Sequence, residues 1–349
     1  MPKVSILVAI YNAEAFLHQC LDSLLAQTLR DIQILCIDDA STDTSLEIAR
    51  QYARRDPRVE VIALKQNSGQ AHARNQGLKQ ATGTYICMLD SDDWMSSDAL
   101  QLAVEKMETQ AETDCVLFHL INVFPHPASN HTHLTNDHAQ QREEEYPMQP
   151  FEKLSGQEAF LKSLTWDIHG LYLLKTHIHR QYPYDESAKA YSDDNTTRLH
   201  YLHSRQVSCC SGTYFYRQHP LSVTHRVSLR RFDYLKANDS MAAQLRNLHL
   251  SSTILSLYEN VRWLNLIDTY LFYYQYRHKL SPQDRRYGLS EIKRVWQLID
   301  TSQLARTHRL KFGYIPFRSS WFLFRLQEEL YFSLRSLKDR ISNIRFSIL

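Results

Sequence analysis

The feature that most constrains the fold is an alternation of short apolar runs with segments of helical spacing in the first third of the chain. Between the first two runs, apolar residues recur every three or four positions over 13–27, as on one face of a helix. This order predicts an α/β fold with a mostly parallel sheet flanked by helices. The β-rich runs are 4–10, 32–37, 59–64, 85–89 and 115–121.

Length and charge narrow the class of protein. The chain has 349 residues, 43% of them hydrophobic, which is enough for one large domain or two of ordinary size. Its 40 Lys and Arg nearly balance 38 Asp and Glu, so the totals give no support for a nucleic-acid partner. No run of about 18 apolar residues occurs, which excludes a helix spanning a membrane.

The cysteines and the N-terminus indicate the compartment. Six cysteines show no metal-ligand or redox spacing, and we expect them to be reduced. The first apolar run is short and ends in Tyr11-Asn12, unlike a secretory signal. We therefore expect a cytoplasmic protein.

Polar residues follow three of the apolar runs directly. They are Tyr11-Asn12, Asp38-Asp39 and the segment 90–92. In parallel sheets, ligands bind beyond the carboxyl ends of the strands. We therefore expect these three motifs to meet in one crevice.

Three carboxylates, Asp90, Asp92 and Asp93, fall within four residues at one of these strand ends. One interpretation is that Asp92 and Asp93 help begin the helix patterned over 99–107. The other is that they hold a divalent cation and a ribose hydroxyl. Magnesium and manganese prefer oxygen ligands and often take only one or two from the protein, with phosphate and water completing the shell. The two-residue spacing of Asp90 and Asp92 fits that division.

Four motifs carry a resemblance to a known family. They are IYN at 10–12, IDDASTD at 37–43, NSGQAHARNQGL at 67–78, and GTY at 83–85 leading into LDSDD at 89–93. With them the chain resembles the family 2 glycosyltransferases of the GT-A fold, of the bacterial surface-polysaccharide type. The resemblance covers about 3–225 and is strongest to 110. One departure is Ala40, where the family usually has glycine, and we expect only a slight change in that turn.

The resemblance implies an inverting enzyme that depends on Mn²⁺ or Mg²⁺. It would move a sugar from a nucleotide-sugar donor, preferably a UDP-sugar, to a saccharide or lipid-linked saccharide in capsule, lipopolysaccharide or exopolysaccharide synthesis. Asp39 would accept from the imide of the base, Asp90 would bind ribose, and Asp92 would bind the metal. The residues assigned to the nucleotide sugar are Tyr11, Asn12, Asp39, Asn67, Gly69, Arg74, Asp90 and Ser91.

Inverting transfer requires a general base within hydrogen-bond reach of the attacking hydroxyl. The family commonly places a carboxylate pair at the start of a helix after its middle segment. Here Asp193 and Asp194 precede a helical pattern over 196–202. The family's pattern matches Asp194 to the base, with Asp193 as its competitor and helix capping as the alternative for both.

The strand-like stretch 214–219 resembles a family segment that closes over the diphosphate. Arg217 is predicted to contact a phosphate, and His219 or His225 to complete the metal shell. The alternative is an ordinary surface strand with alternate residues on one face. Candidates for the floor of the acceptor site are Trp166, Asp167 and His169, although a buried Trp anchoring the core is the alternative there.

We divide the chain into a catalytic domain at 1–227 and a helical region at 228–349. The catalytic domain has a nucleotide-sugar-binding half at 1–110 and an acceptor half at 111–227. A polar segment at 125–150 contains four histidines and the acidic run 143–145. We interpret that segment as a solvated loop.

From Arg306 onward the sequence has nine basic and three acidic residues, interleaved with aromatic residues. A helix with an aromatic face beside arginines can lie on an anionic membrane surface, here the inner face of the cytoplasmic membrane. Alternatively, the aromatic residues pack on the catalytic domain or on a second subunit in a homo-oligomer. The rival to an enzyme is a degenerate protein that binds a nucleotide sugar or scaffolds a membrane assembly.

Overall fold

The computed structural model describes residues 1–125, 142–188, 191, 193–219, 228–309 and 320–346, with side chains in the last helix described to 335. It contains two compact units, Met1–Arg226 and Val227–Leu349. Five histidines of the sequence hypotheses lie outside the described residues: His126, His131, His133, His138 and His225.

The first unit is built on one ten-stranded sheet in the order β3-β2-β1-β4-β9-β6-β10-β5, with β7 beside β6 and β8 beside β10. The strands are β1 (Val4–Ile10), β2 (Ile32–Asp38), β3 (Val59–Ala63), β4 (Tyr85–Met88), β5 (Trp94–Met95), β6 (Thr113–Phe124), β7 (Arg142–Glu145), β8 (Lys153–Ser155), β9 (Tyr172–Lys175) and β10 (Gln206–Arg217). The helices are α1 (Leu17–Leu25), α2 (Ser45–Arg55), α3 (Gln70–Gln80), α4 (Ala99–Thr109), α5 (Gly156–Leu164), α6 (Thr176–Gln181) and α7 (Asp193–Leu202).

The predicted α/β fold, with a sheet flanked by helices and a helical C-terminal region, is confirmed. Strands β3, β2, β1 and β4 run parallel, as do β6 and β10. The departures are β5, β7, β8 and β9, which pair antiparallel with their neighbours. Among them is β7, which contains the acidic run 143–145, so the interpretation of that run as a loop was wrong.

The central strands are covered on both faces. Every residue of β1 and β2 is buried, which explains why they read as continuous apolar runs rather than alternating ones. One polar residue in that core, Gln33, accepts hydrogen bonds from the Ser5 hydroxyl at 2.7 Å and the Thr82 amide at 3.0 Å. These central strands are therefore enclosed, and the polar residues that follow them lie beyond their ends.

The second unit is helical. Its helices are α8 (Asp233–Asn247), α9 (Ser252–Tyr276), α10 (Pro282–Leu298), α11 (Arg306–Arg309) and α12 (Trp321–Phe346). Phe324 and Phe332 of α12 are 0% and 2% exposed and pack against Tyr270 of α9. These rings therefore follow neither alternative drawn from the sequence, because they complete the core of their own unit. No helix in the described part of the chain is long and apolar enough to cross a membrane.

Candidate active site

The segments that follow β1 and β2 are hydrogen-bonded to each other. The Asn12 amide donates to the Ser41 hydroxyl at 3.1 Å, and Asn12 Oδ1 accepts from the Thr42 amide at 2.8 Å. Asn12 and Ala40 have φ angles of 51° and 57°, in the left-handed region. This geometry explains why glycine suits position 40. Tyr11 is 44% exposed at the rim of the crevice.

Asp39 secures the loop that leads into α3. Its two carboxylate oxygens accept from the amides of Ser68 and Gly69 at 2.8 and 2.7 Å, and Asn67 donates to its backbone carbonyl at 3.4 Å. Gly69 has φ 97°, a conformation that favours glycine. A carboxylate has about four lone-pair sites, so two remain for a ligand. The contact between Asp39 and a base stays a prediction.

Arg74 lies behind the crevice rather than in its wall. The guanidinium is 1% exposed, donates to Asp90 Oδ1 through Nη2, and places Nη1 3.6 Å from Asp193 Oδ2. It also lies over the ring of Tyr184, 5.2 Å from the centroid. The assignment of Arg74 to the nucleotide pocket stays a prediction, and in this structure its charge is taken up by two carboxylates.

The three clustered carboxylates each have a different partner. Asp90 also accepts from Gln70 at 3.0 Å, and Asp92 Oδ2 lies 2.9 Å from His219 Nε2. Asp93 accepts from the Tyr214 hydroxyl at 2.9 Å and the Arg217 amide at 2.8 Å. Since α4 begins at Ala99, beyond all three, the helix-start interpretation was wrong.

Burial sets the ionisation of two of these acids. It raises the pKa of Asp93 well above the ordinary value, with the charges of Asp92 and Asp90 adding to the effect. Burial also raises the pKa of Asp90, although the neighbouring Arg74 opposes that rise. Asp92 is the carboxylate of the cluster most open to an incoming ligand. Its side chain is 30% exposed, against 23% for Asp90, and Asp93 is buried.

Strand β10 closes this side of the site. Tyr214 is fully buried, and its hydroxyl also accepts from the Asp90 amide at 3.1 Å. Arg217 donates from Nε to the Asp92 carbonyl at 2.8 Å, and its guanidinium lies over Trp94, 4.5 Å from the centroid. The surface-strand alternative is therefore wrong. Contact between Arg217 and a phosphate stays a prediction, and protein groups already hold this side chain.

His219 and Asp92 are the pair suited to a metal. The His219 ring is 8% exposed, packs on Phe16 with centroids 4.7 Å apart, and has a buried Nδ1 without a hydrogen-bond partner. Across the described residues, no group of three or more His, Cys, Asp or Glu side chains could hold a metal ion. Two protein ligands nevertheless suit an ion whose other ligands are phosphate and water. Ser91 lies half-buried between Asp90 and Asp92.

A cleft of about 320 Å³ adjoins these carboxylates, and Asp193 and Asp194 at the start of α7 face it. Burial raises the pKa of Asp194 to about 7, the charge of Asp193 adds to the rise, and Arg198 opposes it. A group with such a pKa can accept a proton near neutral pH. The cleft is lined by Met88, Asp90, Leu120, Asn122, Tyr146, Trp166, His169, Gly170, Leu171, Asp193, Asp194, Thr197 and Tyr216.

Of the three residues proposed for the acceptor floor, Trp166 and His169 line the cleft, whereas Asp167 is exposed and lies outside the lining. The Trp166 carbonyl accepts from the Tyr146 hydroxyl at 2.5 Å, which fixes the two aromatic residues together. Burial lowers the pKa of His169 to about 4, so this imidazole is neutral at physiological pH. The cleft thus combines aromatic surfaces with carboxylates, as expected for binding neutral hydroxylated rings.

Several site residues were missed. Tyr214 joins two of the clustered acids, yet nothing in its local pattern distinguishes it from a core tyrosine. Gln70 follows Gly69 inside a quoted motif, so its position could have suggested a role. The residues that line the cleft from β6, Leu120 and Asn122, lack any local signal.

Comparison with known proteins finds a family match for part of the chain. Residues 5–169 match the family model described as "Glycosyl transferase family 2". An uncharacterized glycosyltransferase, EpsJ of Bacillus subtilis, is 48% identical over 116 residues, 33% of this chain and 33% of that protein. A poly(ribitol-phosphate) beta-glucosyltransferase of Bacillus spizizenii is 46% identical over 101 residues, 28% of this chain and 16% of that protein. The chain thus spans a third or less of these two relatives.

Comparison with solved structures identifies the fold. The crystal structure of Staphylococcus aureus TarS 1–349 in complex with UDP-GlcNAc matches with a TM-score of 0.64 at 18% identity, covering 86% of this chain and 82% of that one. At this identity the likeness establishes the fold. Residues 5–169 thus match glycosyl transferase family 2, and the chain has a GT-A-type fold.

Proposed function

We propose that this protein is an inverting glycosyltransferase that moves a sugar from a nucleotide sugar, preferably a UDP-sugar, to a saccharide or lipid-linked saccharide in surface-polysaccharide synthesis. The observation that carries the proposal is Asp194, whose raised pKa of about 7 suits a base, in a cleft that also contains Asp90. The family and the relatives with glycosyltransferase names support it.

The reaction requires a group that accepts the hydroxyl proton, and it breaks the bond between the sugar and the diphosphate. The acceptor hydroxyl attacks the anomeric carbon, the bond from that carbon to the diphosphate oxygen breaks, and the hydroxyl proton goes to Asp194. Arg74 lies 3.6 Å from Asp193 and balances part of its charge, whereas burial raises the pKa of Asp194 to about 7. This asymmetry favours Asp194 over Asp193 as the base.

Asp92 and His219 would hold a divalent ion, Mn²⁺ or Mg²⁺, because Asp92 Oδ2 and His219 Nε2 lie 2.9 Å apart and are both atoms that such ions accept as ligands. When bound, such an ion stabilises the negative charge of a diphosphate leaving group. Asp90, fixed by Gln70 and Arg74, would orient the ribose. Lipid-linked acceptors would place the enzyme at the inner face of the cytoplasmic membrane.

A screen of nucleotide sugars by thermal shift, with and without manganese, identifies the donor. The decisive comparison is then release of UDP from that donor by the wild type, Asp194→Asn and Asp193→Asn. We expect Asp194→Asn to lower turnover about 100-fold or more while its affinity for UDP changes less than threefold. Asp193→Asn should retain more activity.

Asp31→Asn is the matched control, because Asp31 is an exposed carboxylate at the opposite end of the sheet. It should behave as the wild type. Full turnover by Asp194→Asn would transfer the role of base to another group. Binding of UDP without turnover of any donor by the wild type would favour the non-catalytic alternative.

A further inference from the structure

The outer face of α12 has a row of exposed apolar residues. Phe322, Leu326, Leu330 and Leu334 recur every four residues and are 71%, 58%, 60% and 56% exposed. Residues at this spacing lie along one side of a helix. We call these four residues the outer row. Large apolar residues this exposed usually indicate an interaction surface when they are contiguous.

The opposite face attaches α12 to its unit. Phe324, Glu328 and Phe332 also recur every four residues, and they are 0%, 1% and 2% exposed. The two rows start two residues apart, or about 200° around the helix, so they face opposite ways. Because the inner row already completes the core of the unit, the outer row is not required for folding.

Charge distinguishes among the partners that could cover the outer row. Both acids in the described part of α12 are taken up internally. Glu328 is buried, and Glu329 accepts from the Tyr270 hydroxyl at 2.6 Å and from Arg325 and Arg277 at 2.9 and 3.2 Å. Among the side chains described in α12, up to residue 335, these bonds leave the outer row without a neighbouring free carboxylate.

The whole unit is strongly basic. Val227–Leu349 contains 20 Lys and Arg against 10 Asp and Glu, a net charge of +10, so the rest of the chain carries −8 of the total +2. In a twofold dimer built on the outer row, two like-charged units would face each other and repel. An anionic membrane surface attracts the same charge.

We propose that the outer row of α12 docks into the surface of a membrane rich in anionic phospholipid. The leucines and Phe322 enter the interfacial region, and the basic residues of the unit meet the headgroups. The proposal deepens the proposed function, since the enzyme would then reach a lipid-linked acceptor, and it rests on that function only in this respect.

Vesicle flotation of the full chain tests the proposal. The vesicles are phosphatidylcholine alone or phosphatidylcholine with about one-third phosphatidylglycerol. The test variant is the double substitution Leu326→Glu and Leu330→Glu. The matched control is Leu257→Glu and Leu264→Glu, two leucines of α9 that are 41% and 51% exposed but lie outside the outer row.

We expect the wild type and the control to float with anionic vesicles, and the outer-row variant to partition at least tenfold less. Neutral vesicles should bind the wild type at least tenfold less than anionic ones. Circular dichroism and thermal unfolding should show the same fold in all three proteins.

The proposal is overturned if the wild type does not float with anionic vesicles, or if the outer-row variant floats equally. It is also overturned if light scattering shows a wild-type dimer that the outer-row variant dissociates, because the partner is then a second copy. UDP release is measured without vesicles, so loss of flotation with intact turnover in the outer-row variant supports the docking surface. Wild-type turnover without flotation overturns the surface alone.

Discussion

At the scale of single residues, Asp194 links the chemistry of the cleft to pH. Its pKa of about 7 means that the carboxylate, the form able to accept a proton, is the minor species below pH 7 and the major one above. We expect kcat/KM for UDP release to rise about tenfold per pH unit below 7 and to level off above it. A pH profile with saturating metal measures this, and a flat profile from pH 5 to 8 would contradict it.

The same raised pKa predicts a gain in stability when the carboxyl is removed. Above pH 7 the folded protein carries a buried charge at Asp194, whereas the unfolded chain solvates it, so the wild type loses stability between about pH 4 and pH 7. Asp194→Asn removes that loss. We expect the variant to be more stable than the wild type by roughly 1–3 kcal/mol at pH 8, allowing for partial solvent access. Urea unfolding at pH 8 and pH 4 measures the difference, which should vanish at pH 4.

Substitution of the buried Arg74 should lower the free energy of unfolding far more than substitution of an exposed arginine. Arg74→Met would leave Asp90 and Asp193 without their shared cation in a buried setting, and we expect a loss of about 3–5 kcal/mol. Arg54→Met is the control, because Arg54 pairs with Glu47 while 62% exposed, and a change below about 0.5 kcal/mol is expected there. Urea unfolding at pH 7 compares the two. Equal effects would mean that the buried bridge contributes nothing.

At the scale of elements, the turn from β2 to α2 contains the family's glycine position. Ala40 has φ 57°, where a side chain costs roughly 1 kcal/mol. We expect Ala40→Gly to raise the free energy of unfolding by up to about 1 kcal/mol, since relief of strain competes with the greater freedom of glycine in the unfolded chain. Ala53→Gly, inside α2, should instead lower it by about 1 kcal/mol. Destabilisation by Ala40→Gly would show that the turn is not strained.

A contact in the site can be predicted from the sequence only when its two residues lie close together along the chain. The bounds of β1 and the first residue of α4 agree with the predictions, because each follows from apolar spacing within a few turns of chain. The contacts of Asp93 with Tyr214 and Arg217 join residues 121 and 124 positions apart. They depend on where β10 enters the sheet, which local periodicity cannot specify.

The orientation of Arg74 likewise depends on residues that are distant in the sequence. The sequence places it in a motif that the family uses for nucleotide, and that motif does lie at the crevice. Whether the guanidinium points into the crevice or behind it depends on the packing of α3 against the segment around Tyr184. Burial of a charged side chain is a property of the assembled fold, so it appears only when both carboxylate partners are in place.

At the scale of the whole molecule, ligand binding should stabilise the protein in a metal-dependent manner. On the proposed function, UDP with Mn²⁺ would bind only the folded state, and at 100 times its Kd it would add about 2.7 kcal/mol. We expect EDTA to reduce the thermal shift caused by UDP, and Asp92→Asn to abolish the part that depends on manganese. Asp194→Asn should keep that part. A manganese effect unchanged in Asp92→Asn would remove this residue from the metal site.

The late position of β10 in the chain has a consequence for synthesis. A ribosome releases the chain from its N-terminus, so the segment bearing Asp90, Asp92 and Asp93 emerges long before Tyr214, Arg217 and His219. Until Tyr214, Arg217 and His219 have been translated, the three carboxylates remain hydrated and Asp92 lacks His219. If Asp92 and His219 hold the proposed ion, a nascent polypeptide would not present both ligands before roughly two-thirds of the protein has been translated.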